Sequence, residues 1–171
     1  LLSHVIDTAR SLDPAAIHVV YGHGGERVRE ALAKEKEEKE KVEWTLQAQQ
    51  LGTGHAVQQA IPKVPDGHRV LILYGDVPLL GRATLERLVA AAGREEVALL
   101  TMTPADPAGY GRIVRDPEGK VQRIVEQKDA SAQERAVREC NTGVMAWPAR
   151  LLKQWLGNLR AANSHGEYYL T

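Results

Sequence analysis

Asp76 stands where a carboxylate can do chemistry. It follows Val70-Leu71-Ile72-Leu73-Tyr74-Gly75 and precedes Val77-Pro78-Leu79. The unbroken apolar and aromatic run predicts a strand covered on both faces, the habit of a parallel sheet between helix layers. Gly75 permits a tight turn, and Pro78 cannot continue a ladder. Asp76 is thereby expected at the carboxyl end of a central strand, where open α/β sheets bind their ligands. One carboxylate there, joined by phosphate oxygens of a substrate, is a common way to hold Mg²⁺. The same residue type also caps turns and helices, so Asp76 alone leaves both roles open.

A second segment offers complementary chemistry. Gln47-Ala48-Gln49-Gln50-Leu51-Gly52-Thr53-Gly54-His55-Ala56 follows a predicted strand and opens a predicted helix. Its two glycines would let the backbone approach a planar ligand, and a helix amino end offers free N–H groups. A carboxamide such as Gln47 can pair donor and acceptor with the imide edge of uracil, an N–H between two carbonyls. A glycine-rich strand-to-helix turn with solvated glutamines is the competing reading.

Other motifs lead nowhere. Gly22-His23-Gly24-Gly25 lies between a strand and a helix, but Arg27 replaces the third glycine of the dinucleotide fingerprint. There is no phosphate loop and no nucleophile-elbow serine. The six histidines lack metal-ligand spacing. His23 and His55, each beside a glycine, are expected to be ordinary hydrogen-bonded loop residues. Cys140 reads as a small core residue. As the single cysteine, it also rules out an intrachain disulfide and a cysteine-rich zinc site.

The elements that must position these groups alternate. Leu1, Leu2, Val5, Ile6, Ala9 and Leu12 form one helical stripe. A strand is predicted over Ile17–Tyr21, a helix from Glu26 to about Lys41, and a strand over Glu43–Gln47. A helix over Thr53–Ile61 then leads to the strand at Val70. Helix 82–92, strand 97–102, and strands 111–115 and 121–126 around an Asp116-Pro117-Glu118-Gly119 turn follow. A helix at 131–138, a strand over Asn141–Trp147 and a helix from Pro148 to about Leu159 complete the order. Such alternation implies right-handed crossovers and a mostly parallel mixed sheet, with the hairpin adding a small lobe. The run Lys34–Lys41 reads as a solvated helix end.

Composition narrows the class. The 22 basic and 22 acidic residues cancel, which argues against a nucleic-acid footprint or a charged membrane surface. No apolar run reaches the ~18 residues of a membrane span, and no signal-peptide pattern opens the chain. A cytoplasmic protein is expected. With 171 residues this is one domain or most of one. Both ends are expected to be cut, because Leu1 already lies on a helical stripe and Thr171 follows Tyr168-Tyr169-Leu170 without a stop signal.

Taken in order, several segments resemble the uridylyltransferase domain of the bifunctional bacterial N-acetylglucosamine-1-phosphate uridylyltransferases. They are Val20–Gly25, Leu46–Ala56, Leu73–Leu79, Asp106–Ile113, Ile124–Ala130, Asn141-Thr142-Gly143 and Gly166–Thr171. The strand followed by Gly75-Asp76 would suit many sugar nucleotidyltransferases. Gln50–Ala56, Gly109–Arg112 and Gly166–Tyr169 are more specific.

The resemblance implies an α/β, Rossmann-like three-layer nucleotidyltransferase fold with a small sugar-binding lobe. It also implies Mg²⁺-dependent formation of UDP-N-acetylglucosamine and pyrophosphate from UTP and N-acetylglucosamine-1-phosphate, a step of cell-wall (peptidoglycan) precursor synthesis. By resemblance Gln47, Gln50, Gly52 and Thr53 hold the nucleotide, and Asp76 is the catalytic metal ligand. Gly111, Glu126, Asn141 and Thr171 line the sugar site. Family members carry a glycine-rich loop, an arginine and a lysine upstream of the position of Leu1. They place a second metal ligand beyond that of Thr171 and trimerise through a left-handed β-helix that transfers acetyl groups. Residues 1–171 are therefore expected to be a partial uridylyltransferase domain without the acetyltransferase domain, and inactive alone. The alternatives are a nucleotidyltransferase for another base or sugar, and a non-catalytic nucleotide-sugar binding module.

Overall fold

The computed structural model describes residues 1–35, 42–159 and 168–170. The order is α1 (Leu2–Arg10), β1 (Ile17–Tyr21), α2 (Glu26–Glu35), β2 (Val42–Leu46), α3 (Thr53–Ala60) and a 3-10 turn (Ile61–Lys63). Then come β3 (Arg69–Ile72), α4 (Arg82–Ala91), β4 (Ala98–Met102), β5 (Arg112–Arg115), β6 (Val121–Val125), α5 (Ala132–Arg135), β7 (Cys140–Pro148) and α6 (Ala149–Asn158). Every predicted element is represented among the described residues, with ends shifted by a few positions, except that the expected end of α2 near Lys41 lies outside them. The helix expected at 131–138 is one turn, Ala132–Arg135, opened by a capping box between Ser131 and Glu134. Most of the charged run falls at Lys36–Lys41, outside the described residues.

The α/β class holds, and the sheets are mixed. β1 and β2 form a parallel pair. β3, β4 and β5 all run antiparallel to β7, and β5 pairs with β6 around the Asp116–Gly119 turn. β3 and β4 are thus parallel to each other with β7 between them. Among the described pairings, the parallel ladder is confined to β1–β2.

The centre of the main sheet is β7. Val144 and Ala146 point to one face and pack with Leu85 and Leu88 of α4. Met145 and Trp147 point to the other and pack with Leu152 and Leu156 of α6. This two-residue alternation between two helix layers buries eight of the nine β7 residues.

β3, expected to be central, lies at the margin of its sheet, and its residues are less buried than those of β7. The strand also stops at Ile72, so Leu73 lies beyond it and Tyr74 opens the turn that carries Asp76. A groove of about 1130 Å³ separates β3 from β1, bordered by every residue from Ile17 to Tyr21 and from Arg69 to Gly75. Contact along successive residues marks these as strand edges rather than faces. The apolar stripe of α1, including Leu2, Val5 and Ile6, lines the same groove.

Candidate functional site

Gln47 leaves the end of β2 with its backbone N–H bonded to the Tyr21 carbonyl at 2.8 Å. Its side chain is buried, at 8% exposure. The side-chain nitrogen lies 3.1 Å from the Gly52 carbonyl and 2.9 Å from His55 Nδ1. Gln50 is exposed at the surface, its side chain lying over Gly22.

The glycines of this turn let the chain's own backbone come close. Gly52 has φ +105°, and a Cβ there would stand 2.7 Å from the Tyr168 carbonyl oxygen. A Cβ on Gly54 would meet Leu159 Cδ1 at 2.6 Å and the Tyr168 oxygen at 2.9 Å. The space is taken by the backbone of residues 168–170. The Gly54 N–H donates to the Tyr168 carbonyl and the Tyr168 N–H to the Leu51 carbonyl, both at 2.7 Å. Thr53 Oγ1 accepts from the Leu170 N–H at 3.2 Å and is also hydrogen-bonded to Tyr74. These residues form a backbone strap over the amino end of α3.

Asp76 sits in an exposed turn after β3, closed by a Val77 N–H bond to the Tyr74 carbonyl at 3.2 Å. No cation pairs with it among the described residues. Its carboxylate is a hard oxygen donor open to solvent, which suits a divalent cation that keeps waters and shares phosphate oxygens. Among the described residues no group of three or more histidine, cysteine or acidic side chains could form a protein-only metal cage.

The sugar-side candidates come together across β5, β6 and β7. The Asn141 N–H donates to the Gly111 carbonyl at 2.8 Å, and Asn141 Oδ1 accepts from the Gly143 N–H at 3.0 Å. A Cβ on Gly111 would stand 3.0 Å from Glu126 Oε1, so the bare glycine makes room for that carboxylate. Arg112 turns away, donating to the Tyr110 carbonyl and, at 3.1 Å, to Gln127 Oε1. Thr171 lies outside the described residues.

Tyr74 links the two halves, and sequence reading missed it. Its ring occupies the space over Gly143, where a Cβ would approach Tyr74 Cε2 to 2.6 Å. Burial pushes its phenol pKa up, the hydrogen bond with Thr53 opposes this, and the charges of Glu126 and Asp76 add to the rise. At neutral pH the phenol therefore stays protonated. The signal that could have found it was the pairing of an aromatic next to Gly75-Asp76 with a glycine at 143. By sequence His55 reads as an ordinary loop residue. It lies instead in the first turn of α3, against Tyr168 with ring centroids 6.4 Å apart.

A turn bearing a buried carboxamide, an open carboxylate after a strand, and a polar corner on a neighbouring hairpin are the parts of a nucleotidyltransferase. The chain belongs to the MobA-like NTP transferase domain family, whose model matches residues 1–165. Enzymes of this class are generally metal-dependent.

Among individual proteins it is similar to the Bifunctional protein GlmU of Azoarcus sp. (strain BH72), 57% identical over the whole chain, and to that of Stutzerimonas stutzeri (strain A1501), 56% identical. It spans 37% and 36% of the length of those relatives. A solved structure of UDP-glucose pyrophosphorylase complexed with UDP-glucose shares the fold at TM-score 0.70 and 13% identity. That match covers 98% of this chain and 70% of the other. Among the described residues no helix is long and apolar enough to cross a membrane.

Proposed function

We propose that residues 1–171 are part of the uridylyltransferase domain of a longer cytoplasmic, homotrimeric enzyme. It joins UTP and N-acetylglucosamine-1-phosphate into UDP-N-acetylglucosamine and pyrophosphate. The observation that carries the reading is the position of Tyr74, which opens the turn of Asp76, lays its ring over Gly143 of β7 and turns its hydroxyl to Thr53 at the start of α3. The identity of 53–57% to the GlmU proteins sampled supports the choice of base and sugar.

In this reading Gln47 and the Gly52-Thr53 backbone receive the uracil, and the exposed Gln50 beside them meets the nucleotide from the solvent side. Gly111, Glu126, Asn141 and Thr171 receive the N-acetylglucosamine. A sugar-phosphate oxygen attacks the α-phosphorus of UTP, and the bond from that phosphorus to the pyrophosphate oxygen breaks. No covalent enzyme intermediate is needed, since the attacking phosphate is already ionised at neutral pH. Asp76 would hold Mg²⁺, which when bound neutralises charge on the phosphates. The chain's own residues act by positioning: the buried carboxamide orients the base, and the Glu126–Asn141 corner orients the sugar.

The test is pyrophosphate release by the full-length protein supplied with UTP, N-acetylglucosamine-1-phosphate and Mg²⁺. Turnover is expected with this pair and is expected to fall when CTP or glucose-1-phosphate is substituted. Equal rates with all pairs would overturn the assigned specificity, and no release with any pair would favour a binding module.

A further inference from the structure

We infer that His55 is a positioning residue that fixes which end of the Gln47 carboxamide faces the base, and so helps to set the choice of uracil over cytosine. The inference rests on the proposed role of Gln47 as the base reader.

The chemistry of the partners dictates the orientation. The Gly52 carbonyl can only accept, so the Gln47 atom 3.1 Å from it must be the amide nitrogen. The second hydrogen of that nitrogen is directed to His55 Nδ1 at 2.9 Å, which must then present a lone pair. A neutral ring with Nδ1 unprotonated carries its proton on Nε2. The opposite tautomer would set two donors against each other at 2.9 Å on a buried residue. On the far side of the ring, the Gln59 amide nitrogen donates to the His55 carbonyl at 3.0 Å and passes Nε2 at the longer distance of 3.2 Å. Gln59 is less buried than Gln47 and can turn away from Nε2 more easily.

With both hydrogens of the Gln47 nitrogen engaged, its oxygen is left to face a ligand. That oxygen takes no hydrogen bond from the described residues. A carbonyl acceptor matches the N3–H of uracil and meets the N3 lone pair of cytosine as a repulsion. Without His55 Nδ1 the carboxamide keeps one anchor, the Gly52 carbonyl, and a flipped amide that presents N–H₂ to the base becomes less costly. Discrimination then falls because the wrong base is no longer left facing an unpaired acceptor.

The experiment compares kcat/KM for UTP and CTP in the full-length protein and in its His55→Phe, His55→Asn and Gln47→Ala variants. Phenylalanine keeps the ring against Tyr168 but removes both nitrogens, while asparagine can restore an acceptor near the place of Nδ1. His55→Phe is expected to reduce the UTP-over-CTP preference about tenfold, as loss of one buried hydrogen bond predicts. His55→Asn is expected to recover most of it. Selective ¹⁵N-histidine NMR of the wild-type protein is expected to show the Nε2–H tautomer at His55, a readout available even if a variant does not fold.

An unchanged preference in His55→Phe, equal losses in the Phe and Asn variants, or an Nδ1–H tautomer would each overturn the role of His55. The role of Gln47 survives those results if Gln47→Ala still flattens the preference. A preference unchanged by Gln47→Ala would overturn the base-reading assignment itself, and the His55 inference with it.

Discussion

β7 and β3 are neighbours in one sheet, yet they place residues by different means. β7 has strands along both edges and helices over both faces, and Asn141 near its start is fixed by register. β3 is paired along one edge and borders an apolar groove along the other. The residues beyond it, Tyr74 and Asp76, are held by a turn and by side-chain contacts to Thr53 and Gly143. The nucleotide side is similar, because β1–β2 is a two-stranded pair and its Gly52 turn is tied down by residues 168–170. Sheet ladders build the proposed sugar side, whereas turns and a strap build the nucleotide and metal side. The positive-φ backbone at Gly52, which glycine adopts freely, belongs to the second kind.

The sharpest test of that contrast is at Asp76. Asp76→Asn in the full-length protein keeps the shape of the turn but removes the charge offered to a cation. Turnover is expected to fall at least about 100-fold, roughly 3 kcal/mol of transition-state stabilisation, with an unchanged thermal midpoint. A variant within a fewfold of wild type would remove Asp76 from the reaction.

Packing on the two sides is separated by a pair of truncations. Leu152→Ala empties a fully buried site against β7 and is expected to cost about 3 kcal/mol in urea unfolding. Val19→Ala, beside the groove, is expected to cost about 1 kcal/mol, since its surroundings can relax into open space. Equal costs would mean that the groove side is as tightly packed as β7.

The strap is probed by two glycines that both have positive φ. Gly52→Ala drives a Cβ toward the Tyr168 oxygen, whereas Gly24 has nothing within 4 Å of that position. About 2 kcal/mol or more is expected at Gly52 and about 1 kcal/mol at Gly24, the latter from backbone strain alone. Loss of amide-exchange protection at Gly54 and Tyr168 should accompany the first. Equal destabilisation would show that the strap contributes nothing.

The smallest effect belongs to the hairpin lobe. Arg115 donates to both oxygens of Glu139 at 2.7 Å, and those bonds hold the carboxyl below its ordinary range. A depressed carboxylate adds stability above its unfolded pKa and loses it as pH falls through the folded one. Glu139→Gln is therefore expected to cost about 0.5 kcal/mol at neutral pH, given the exposure of the pair. The difference from wild type should close below about pH 4, as read from unfolding curves across that range.

Much of the molecule was legible locally. Apolar runs located the strands, Asp116-Pro117-Glu118-Gly119 located the hairpin turn, and the stripe from Leu1 to Leu12 located α1. Those patterns are short-range, and backbone periodicity and turn chemistry suffice to read them. Gln47 and Asp76 also stand out as residue types at the ends of predicted elements, whereas Gly111, Glu126 and Asn141 are pointed out only by the family resemblance.

Only the tertiary structure decided what those residues touch. It made β7 rather than β3 the middle of the main sheet, because strand order depends on pairings between segments up to about eighty residues apart. It gave the space beside Gly52 and Gly54 to Tyr168, set Tyr74 over Gly143 and turned His55 toward Gln47. Each is a contact between groups whose local sequence would be equally content elsewhere. Periodicity identifies a buried face, and the chain's return path determines which atom meets it.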